Sequence, residues 1–311
     1  MMRKIFAIVI AGVIFLVASN FFLVHNTTVL FLPKAEAVQG HHLYPCPKIP
    51  IVTIEDGGRL GNKIWEYAAV WSVARLMGRP GFVPRSLKTT LSRTFGNLSL
   101  PTLEEIGHCD LQLNYNKSIS ALSILPLTET RSRFQGRNML LHRYEMFLEP
   151  ALMYRDLLKL EFSFKPEIVR QVKETFAKFG EGKTLVGVHV RRTDFKEFLP
   201  VYLKTTLVND DFYKNAMQWY RENVKGPILF LVVSDDISWC ETNLRFEDVR
   251  VVTNSSPAHD LALLCMSDHT IVDYGTFGFW GAFMSEGHTV SLGVYKSFTK
   301  TMAQEANWTL F

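Results

Sequence analysis

The chain of 311 residues lacks the features that mark several protein classes. An aspartate-any-aspartate motif, which could hold a divalent metal, occurs nowhere, and no two cysteines have metal-ligand spacing. Internal repeats and low-complexity tracts are also absent, which excludes a repeat protein. A net charge of +4, from 34 Lys and Arg against 30 Asp and Glu, is too small and too dispersed to indicate a nucleic-acid partner.

Cysteine is scarce, with four residues in the whole chain: Cys46, Cys109, Cys240 and Cys265. This number fits an oxidising compartment and allows up to two disulfides in three connectivities. The pairing is left open, and buried thiols are an alternative interpretation for Cys240 and Cys265.

An uncharged, mostly apolar run occupies residues 5–24. At about 1.5 Å per residue, a helix of this length crosses a hydrocarbon core of about 30 Å. Arg3 and Lys4 precede the run, so the positive-inside rule keeps the tail, residues 1–4, in the cytosol. We therefore expect a transmembrane signal-anchor that places the remaining chain in a lumen.

A stem, residues 25–47, is expected between this anchor and the folded part, because the segment contains several prolines and a glycine. The competing interpretation is a signal peptide cleaved at Ala37, which has small residues at cleavage-site spacing. In a lumenal chain, N-x-S/T sequons favour surface glycans. Five of them occur, at Asn26, Asn97, Asn116, Asn254 and Asn307.

From Lys183 onward, short apolar runs typical of buried strands alternate with helical stretches. The predicted strands are 185–190, 227–233, 249–253, 269–273 and 289–293. The predicted helices are 211–222, 237–244, 257–267 and 277–286. This rhythm indicates a parallel, doubly wound α/β sheet. The region before it is less regular, but it starts with a strand at 49–54, a glycine turn and a helix near 65–74.

The end of the first strand in this series carries the most informative residues. The apolar run from Val186 leads to His189, and then to Arg191, Arg192 and Asp194. Ligands bind at the carboxyl ends of parallel strands, and the planar fork of arginine matches a phosphate bidentately. The implied ligand is a phosphate or diphosphate. The alternative is a solvated strand end with surface ion pairs.

Other strand ends carry complementary chemistry. The glycine turn 57–62 allows close backbone approach before a helix. Ser234 and Asp235 offer acceptors to a ribose or a purine edge, or alternatively cap the following helix. Thr276 and the N–H groups after it form a predicted phosphate cradle, although the aromatic residues around it also fit a core.

Together these motifs form an ordered series over most of residues 51–295. The series comprises Gly58-Arg59-Leu60-Gly61-Asn62 with Glu66-Tyr67-Ala68, His189-Val190-Arg191-Arg192-Thr193-Asp194, Val233-Ser234-Asp235 with Trp239-Cys240, Ser256-Pro257-Ala258, and Gly275-Thr276-Phe277-Gly278 with Trp280. It resembles the galactoside α-1,2-fucosyltransferases. The block from His189 to Asp194 is shared with α-1,6- and protein O-fucosyltransferases, whereas the first and last blocks favour α-1,2 linkage.

The resemblance implies a GT-B type α/β fold, in which two Rossmann-like domains face one cleft. An acceptor-side domain is expected at 48–165 and a GDP-fucose-binding domain at 166–311. The implied reaction is inverting transfer of fucose from GDP-fucose to the 2-hydroxyl of a galactose-terminated glycan. Neither a cofactor nor a metal is expected. The stretch from about 85 to 140 resembles the family loosely, and acceptor specificity is expected there.

Roles for single residues follow from the same resemblance. The expected donor contacts are His189, Arg191, Arg192, Ser234, Asp235, Thr276 and Phe277. The residues expected across the cleft, near the donor sugar or acceptor, are Arg59, Gly61, Asn62 and Glu66. Arg191 is the expected primary contact of the diphosphate, and Arg192 either orients it or pairs with Asp194. The candidate catalytic bases are Asp194, Glu197 and Glu66, of which Asp194 is placed slightly ahead.

Rival hypotheses remain open at this point. One is a fucosyltransferase of another linkage, α-1,6 or protein O-fucose. Another is a non-catalytic, membrane-bound glycan-binding protein, and a third is a secreted lectin-like factor, which requires cleavage at Ala37.

The expected location is the Golgi membrane, as a single-pass type II protein with a lumenal catalytic domain. A homodimer is left open.

Overall fold

The computed structural model describes residues 44–106, 109–114, 117–119, 134–293, 296–306 and 308–311. Its strands are β1 Val52–Ile54, β2 Met139–Leu141, β3 Thr184–Val190, β4 Ile228–Ser234, β5 Val249–Val251, β6 His269–Val272, β7 Thr289–Ser291 and β8 Thr309–Leu310. Its α-helices are α1 Leu60–Met77, α2 Arg85–Leu91, α3 Leu148–Met153, α4 Arg155–Glu161, α5 Pro166–Gly180, α6 Phe195–Phe198, α7 Asp210–Asn223, α8 Ile237–Asn243, α9 Pro257–Met266, α10 Gly275–Met284 and α11 Lys296–Glu305. A 3-10 helix at Leu103–Glu105 and a π-helix at Leu199–Leu203 complete these elements.

The second half contains a six-stranded sheet in the order β5-β4-β3-β6-β7-β8. All neighbouring strands are parallel, with Val186 beside His269 and His189 beside Val272 in the central pair. The chain winds outward from β3 in one direction and from β6 in the other, as in a doubly wound sheet. The predicted parallel α/β architecture is therefore confirmed, and the carboxyl ends of all six strands lie along one edge.

The predicted strands and helices of this half end within two residues of the observed ones. Helices α5, α6 and α11 and strand β8 were not predicted. In α5 the apolar residues Ile168, Val172 and Phe176 recur at helical spacing, so the sequence did carry a signal for this helix. Strand β8 consists of two residues at the sheet edge, which is too short for a periodic pattern.

The first half is built from shorter parallel segments. β1 pairs with β2 and also bridges to Gly81 on its other side. Further parallel bridges join Val83 to Thr102 and Ile119 to Leu141. Segments of one to three residues carry little hydrophobic periodicity, which explains why this half looked irregular in the sequence.

Helix α1 is buried along most of its length, including Ile64, Trp65 and Val70. Its sequence is apolar on all sides, as expected for a helix in the middle of a core. It begins after Gly58, which has φ of 66°, and ends at Gly78, which has φ of 64° and donates to carbonyls of the last turn. The helix predicted at 65–74 therefore extends by about one turn at each end.

Aromatic residues join the two halves into one continuous core. The Trp65 ring of α1 stacks on Phe279 at 5.0 Å between centroids and lies 4.8 Å from the Trp280 ring, both on α10. Phe162 contacts Trp280 from the other side, at 5.5 Å. The packing of α1 on α10 brings the glycine turn of the first half to the strand ends of the second.

A disulfide joins Cys46 to Cys109, with an S–S distance of 1.99 Å, whereas Cys240 and Cys265 are free thiols.

Within the described residues, every helix is too short or too polar to cross a lipid bilayer. The predicted tail and anchor, and the stem up to residue 43, lie outside the described part. So do the sequons at Asn26, Asn116 and Asn307, whereas Asn97 and Asn254 are exposed.

Replacing Trp280 with alanine should lower the free energy of unfolding by about 3–5 kcal/mol, because this fully buried ring fills the junction between the halves. Denaturant unfolding of the full chain measures the change. Tyr202→Ala is the matched control, since its side chain is 69% exposed and should cost less than about 0.5 kcal/mol. Equal losses in the two variants would contradict a core shared by α1 and α10.

Candidate active site

The central strands β3 and β6 form the switch point of the sheet, where the winding direction reverses. Open α/β sheets bind ligands in the crevice outside the carboxyl ends of such strands. His189 lies at this end of β3, and Asp273 follows the last residue of β6. The sequence motifs after these two strands therefore meet at the edge where a ligand is expected.

The Asp273 carboxylate organises this edge. It is 6% exposed and accepts hydrogen bonds from the Arg191 backbone N–H at 2.6 Å and from the Tyr213 hydroxyl at 2.7 Å. The His189 Nδ1 atom lies 2.9 Å from its other oxygen. Burial, followed by the neighbouring carboxylate, raises the pKa of Tyr213, so its hydroxyl stays protonated and donates. Asp273 thus fixes the backbone at Arg191, the first residue of the loop 191–194 that follows β3, which is called the arginine loop below.

Arg191 presents its guanidinium between two carboxylates. Its Nη2 atom donates to Asp194 at 2.7 Å, and its Nη1 atom lies 3.0 Å from Asp235. The side chain is 20% exposed, and its Cζ atom lies 5.7 Å from the centre of the Phe195 ring. The guanidinium is therefore held in one orientation at the protein surface, where an anion can reach it.

The Arg192 side chain points away from Arg191 and Asp194, toward Trp239. Its guanidinium stacks 3.7 Å from the centre of the Trp239 ring, and its Nη1 atom donates to the carbonyl of Val208. Its Nε atom is 3.8 Å from Asp236, the residue that caps helix α8 by accepting from the Trp239 N–H. The predicted pair of Arg192 with Asp194 is wrong, because packing on Trp239 directs this side chain away from that carboxylate.

Asp235 stabilises the arginine loop from the neighbouring strand end. It accepts from the Arg192 backbone N–H at 2.8 Å and from the Thr193 hydroxyl at 2.5 Å, besides its contact with Arg191. Ser234 accepts a hydrogen bond from the backbone two residues ahead. Both side chains lie at the edge that the sequence predicted, and in the free protein Asp235 is an arginine partner.

The beginnings of helices α1 and α10 meet across the same edge. The Thr276 hydroxyl donates to Asn62 Oδ1 at 2.8 Å. A Cβ atom at Gly61 would lie 2.6 Å from both the Thr276 Oγ1 atom and the Phe277 nitrogen, so only glycine permits this approach. The first N–H groups of each helix have no partner within their helix, and such groups bind anions.

Phe277 forms part of the wall beside His189, with ring centroids 5.5 Å apart. The next residue, Gly278, leaves room for the imidazole, because a Cβ atom there would lie 2.5 Å from His189 Nδ1. Gly278 thus allows close packing against the histidine, whereas Gly275 has φ of 82° and lies beside the Phe195 ring.

The candidate bases lie in three different environments. Asp194 is half-exposed and lies between Arg191 and Arg59, whose Nη1 atom is 3.6 Å away and whose side chain is 79% exposed. Glu197 is exposed on helix α6. Glu66 is 1% exposed. Only Asp194 is both accessible and in contact with residues of both halves.

Glu66 lies behind the glycine turn. Its Oε2 atom accepts from the Gly57 backbone N–H at 3.3 Å. Burial raises the pKa of Glu66 to about 8, with the Asp56 carboxylate adding to the increase, while the Gly57 N–H and the Lys63 ammonium oppose it. The side chain is therefore largely protonated near neutral pH, and it supports the glycine turn through its contact with the Gly57 N–H.

Asp273 and Tyr213 are the residues that sequence reasoning missed. The signal for Asp273 was an aspartate directly after a buried apolar run, the same pattern that singled out the arginine loop. Tyr213 carried no signal, because it lies on helix α7, 60 residues away along the chain. Among the described residues, no cluster of three His, Cys, Asp or Glu side chains could hold a metal ion.

Known proteins resemble this chain over most of its length. A sequence profile described as Glycosyl transferase family 11 matches residues 22–310. The chain is 31% identical over 278 residues to Galactoside 2-alpha-L-fucosyltransferase SEC1 of Bos taurus, which covers 84% of this chain and 72% of that protein. It is likewise 31% identical over 259 residues to Galactoside alpha-(1,2)-fucosyltransferase 2 of Pongo pygmaeus, covering 79% and 72%.

A solved structure shares the fold. It is a mutant of Arabidopsis thaliana FUT1 in complex with GDP, with a TM-score of 0.52 and 12% sequence identity. The match covers 87% of this chain and 73% of that one. At this identity the similarity concerns the fold alone.

Replacing Glu66 with glutamine should remove a pH dependence of stability. Because the pKa is raised in the folded state, the wild type binds a proton there that the unfolded chain releases, so its stability falls as pH rises from about 4.5 to about 8. The free energy of unfolding of Glu66→Gln relative to wild type should rise by about 1–3 kcal/mol across that interval. Denaturant titrations of both proteins at pH 5 and pH 8 measure this difference in the free energy of unfolding. The same difference at both pH values would contradict the raised pKa of Glu66.

Proposed function

Because the chain belongs to glycosyl transferase family 11, we propose that it transfers L-fucose from GDP-fucose to the 2-hydroxyl of a terminal β-galactoside, with inversion and without a metal. Relatives at 31% identity carry names that specify this linkage. The structural observation that carries the proposal is the guanidinium of Arg191, which lies between Asp194 and Asp235 at the switch point of the sheet.

Arg191 stabilises the leaving diphosphate in this proposal. As the bond to fucose breaks, negative charge grows on the diphosphate, and fixed cations and N–H donors lower the energy of that state. Arg191 supplies a planar fork of donors, and the start of α10 with Thr276 supplies N–H groups and a hydroxyl. His189, Ser234 and Asp235 line the adjoining strand ends and are assigned to the guanosine, with Phe277 against His189.

Asp194 is the proposed base. In the free protein its carboxylate is occupied by Arg191 at 2.7 Å and by the longer contact to Arg59 at 3.6 Å. A diphosphate that takes over the Arg191 guanidinium leaves Asp194 with the weaker partner. Its carboxylate can then accept the proton of the acceptor hydroxyl as that oxygen attacks the anomeric carbon. Donor binding and the availability of the base are thereby linked.

The residues of the glycine turn form the opposite wall of the proposed site. Arg59 is largely exposed and reaches Asp194, so it can meet the donor sugar or the acceptor. Gly61 and Asn62 bring the start of α1 against Thr276. Glu66 acts through this turn, because it is buried beneath it. The proposed division into an acceptor-side domain at 48–165 and a donor domain at 166–311 follows the same arrangement.

We also propose that the protein is a type II Golgi membrane protein with a lumenal catalytic domain. The disulfide between Cys46 and Cys109 fits an oxidising lumen. The sequons at Asn97 and Asn254 are exposed, as glycan carriers must be. The apolar run at 5–24 supplies the anchor.

The reaction is tested by incubating the full chain in detergent with GDP-fucose and three acceptor classes: β-galactosides, core N-glycan and protein. Linkage analysis should find fucose on the galactose 2-hydroxyl, at a rate that a metal chelator leaves unchanged. Fucose on another hydroxyl would replace the proposed linkage. Binding of GDP without transfer to any acceptor would favour a glycan-binding protein, and loss of activity with chelator that manganese restores would overturn the metal-free mechanism.

Replacing Arg191 with alanine should weaken GDP binding by roughly 10- to 100-fold, because a charge-assisted contact with the diphosphate is lost. Turnover should fall close to zero, while the Arg191 backbone N–H still bonds Asp273 and preserves the fold. Calorimetric titration with GDP and circular dichroism measure the two effects. Arg245→Ala, at an exposed loop on the opposite edge of the sheet, is the control. Unchanged GDP affinity in Arg191→Ala would refute the assignment.

A further inference from the structure

Large aromatic rings are exposed directly after the arginine loop. Phe198 is 37% exposed and Tyr202 is 69% exposed, and their rings stack with centroids 4.7 Å apart at an angle of 26°. Val201, between them, is 58% exposed. Contiguous apolar surface of this kind is unfavourable in water and marks sites of interaction. The rings of Phe195, Phe198 and Tyr202 are called the aromatic ridge below.

The base of the ridge lies in the candidate active site. The centroid of the Phe195 ring lies 5.1 Å from that of Phe198 and 5.6 Å from that of Tyr274. The same ring lies beneath the guanidinium of Arg191. Tyr274 is buried at the end of β6, where its hydroxyl accepts from the Val208 N–H. The ridge therefore runs from the switch point of the sheet to the solvent, because Phe195 contacts Phe198 and Phe198 contacts Tyr202.

The backbone beneath the ridge is unusual. Residues Leu199–Leu203 form a π-helix, a rare conformation that occurs mostly at functional sites. It ends at Lys204, a non-glycine residue with φ of 54°. Leu199 is fully buried and anchors one side of the segment, so Phe198 and Tyr202 remain on the other side. The strained backbone at Lys204 and the rare helix before it therefore belong to a segment whose outward face is aromatic.

We propose that the aromatic ridge is a subsite for the acceptor glycan, in which Phe198 and Tyr202 stack against the apolar C–H face of the sugar beyond the reacting galactose. This inference rests on the proposed function. A donor sugar held near Arg191 places the galactose beside it, and the ridge continues outward from that point. An aromatic ring with a hydroxyl at its edge suits a partner that is apolar on its face and polar around it.

Other occupants fit the ridge less well. Lys196, Glu197 and Lys204 neighbour it along the chain and are exposed, with charges of both signs, whereas a membrane-inserting surface requires a larger apolar face. The exposed aromatic area is small compared with the interface of a stable dimer. Continuity with the arginine loop therefore favours the substrate. The ridge also places part of acceptor recognition outside residues 85–140, where the sequence led us to expect it.

The test compares Tyr202→Ala and Phe198→Ala with wild type in the full chain. The acceptors are a β-galactosyl disaccharide and methyl β-galactoside. The KM for the disaccharide should rise about 3- to 10-fold in each variant, the size expected for one aromatic stacking contact. The KM for GDP-fucose should stay within twofold, and the effect on methyl β-galactoside should be smaller than on the disaccharide. Tyr202→Phe and Tyr202→Trp should restore the low KM.

Phe246→Ala is the matched control, because Phe246 is 38% exposed and lies in the loop before β5, away from the ridge. Its KM values should equal those of wild type. Wild-type-like disaccharide kinetics in Tyr202→Ala and Phe198→Ala would overturn the ridge proposal while leaving the proposed function intact. An equal rise in the KM of both acceptors and of GDP-fucose would also overturn it, since that result indicates a general positioning role.

Direct binding separates this inference from the reaction itself. Saturation-transfer NMR on the GDP-loaded chain measures disaccharide contact without turnover, and the signal should weaken in both ridge variants. If wild type transfers no fucose, the proposed function fails, whereas disaccharide binding that depends on Tyr202 would still support the ridge. Equal binding in wild type and Tyr202→Ala, or a change from dimer to monomer in that variant by sedimentation, would assign the ridge another role and overturn the proposal.

Discussion

The Asp273 carboxylate is buried at the carboxyl end of β6, and three other elements converge on it. It accepts from the backbone of Arg191 and from Tyr213 on α7, and it contacts His189 of β3. A buried carboxylate is tolerated only when its oxygens are occupied, so each partner has a defined position. The arginine loop therefore leaves the sheet from a fixed backbone point, and the guanidinium of its first residue, Arg191, is held in place before any anion binds.

The free protein keeps this cation paired. Asp194 and Asp235 flank the Arg191 guanidinium, and Asp235 also fixes the loop backbone through Arg192. These contacts hold the side chain in one rotamer without burying it, so its charge remains available. In the proposed function, an entering diphosphate would exchange one set of anionic partners of Arg191 for another, which would avoid both an unpaired cation in the free state and a large reorganisation on binding.

The contact between α1 and α10 connects the rest of the molecule to this site. Trp65 and Trp280 place the two helices in one core, and Gly61 allows their starts to approach until Asn62 meets Thr276. The same approach brings Arg59 to Asp194 from the other half of the chain. On the outer side, the arginine loop continues into the exposed aromatic ridge. The proposed positions of the donor anion, the base and the outer acceptor contact thus lie along one edge of the sheet.

The sequence by itself determined the parallel sheet of the second half and the strand ends that carry chemistry, because long buried strands leave apolar runs of recognisable length. It also singled out Arg191 and the glycine turn, which the structure places at the carboxyl end of β3 and at the start of α1. Only the tertiary structure decided which carboxylate each arginine meets. It turned Arg192 onto Trp239, made Asp273 the anchor of the loop and paired Cys46 with Cys109. Such contacts join residues tens of positions apart, and their geometry depends on how helices pack, which no local pattern encodes.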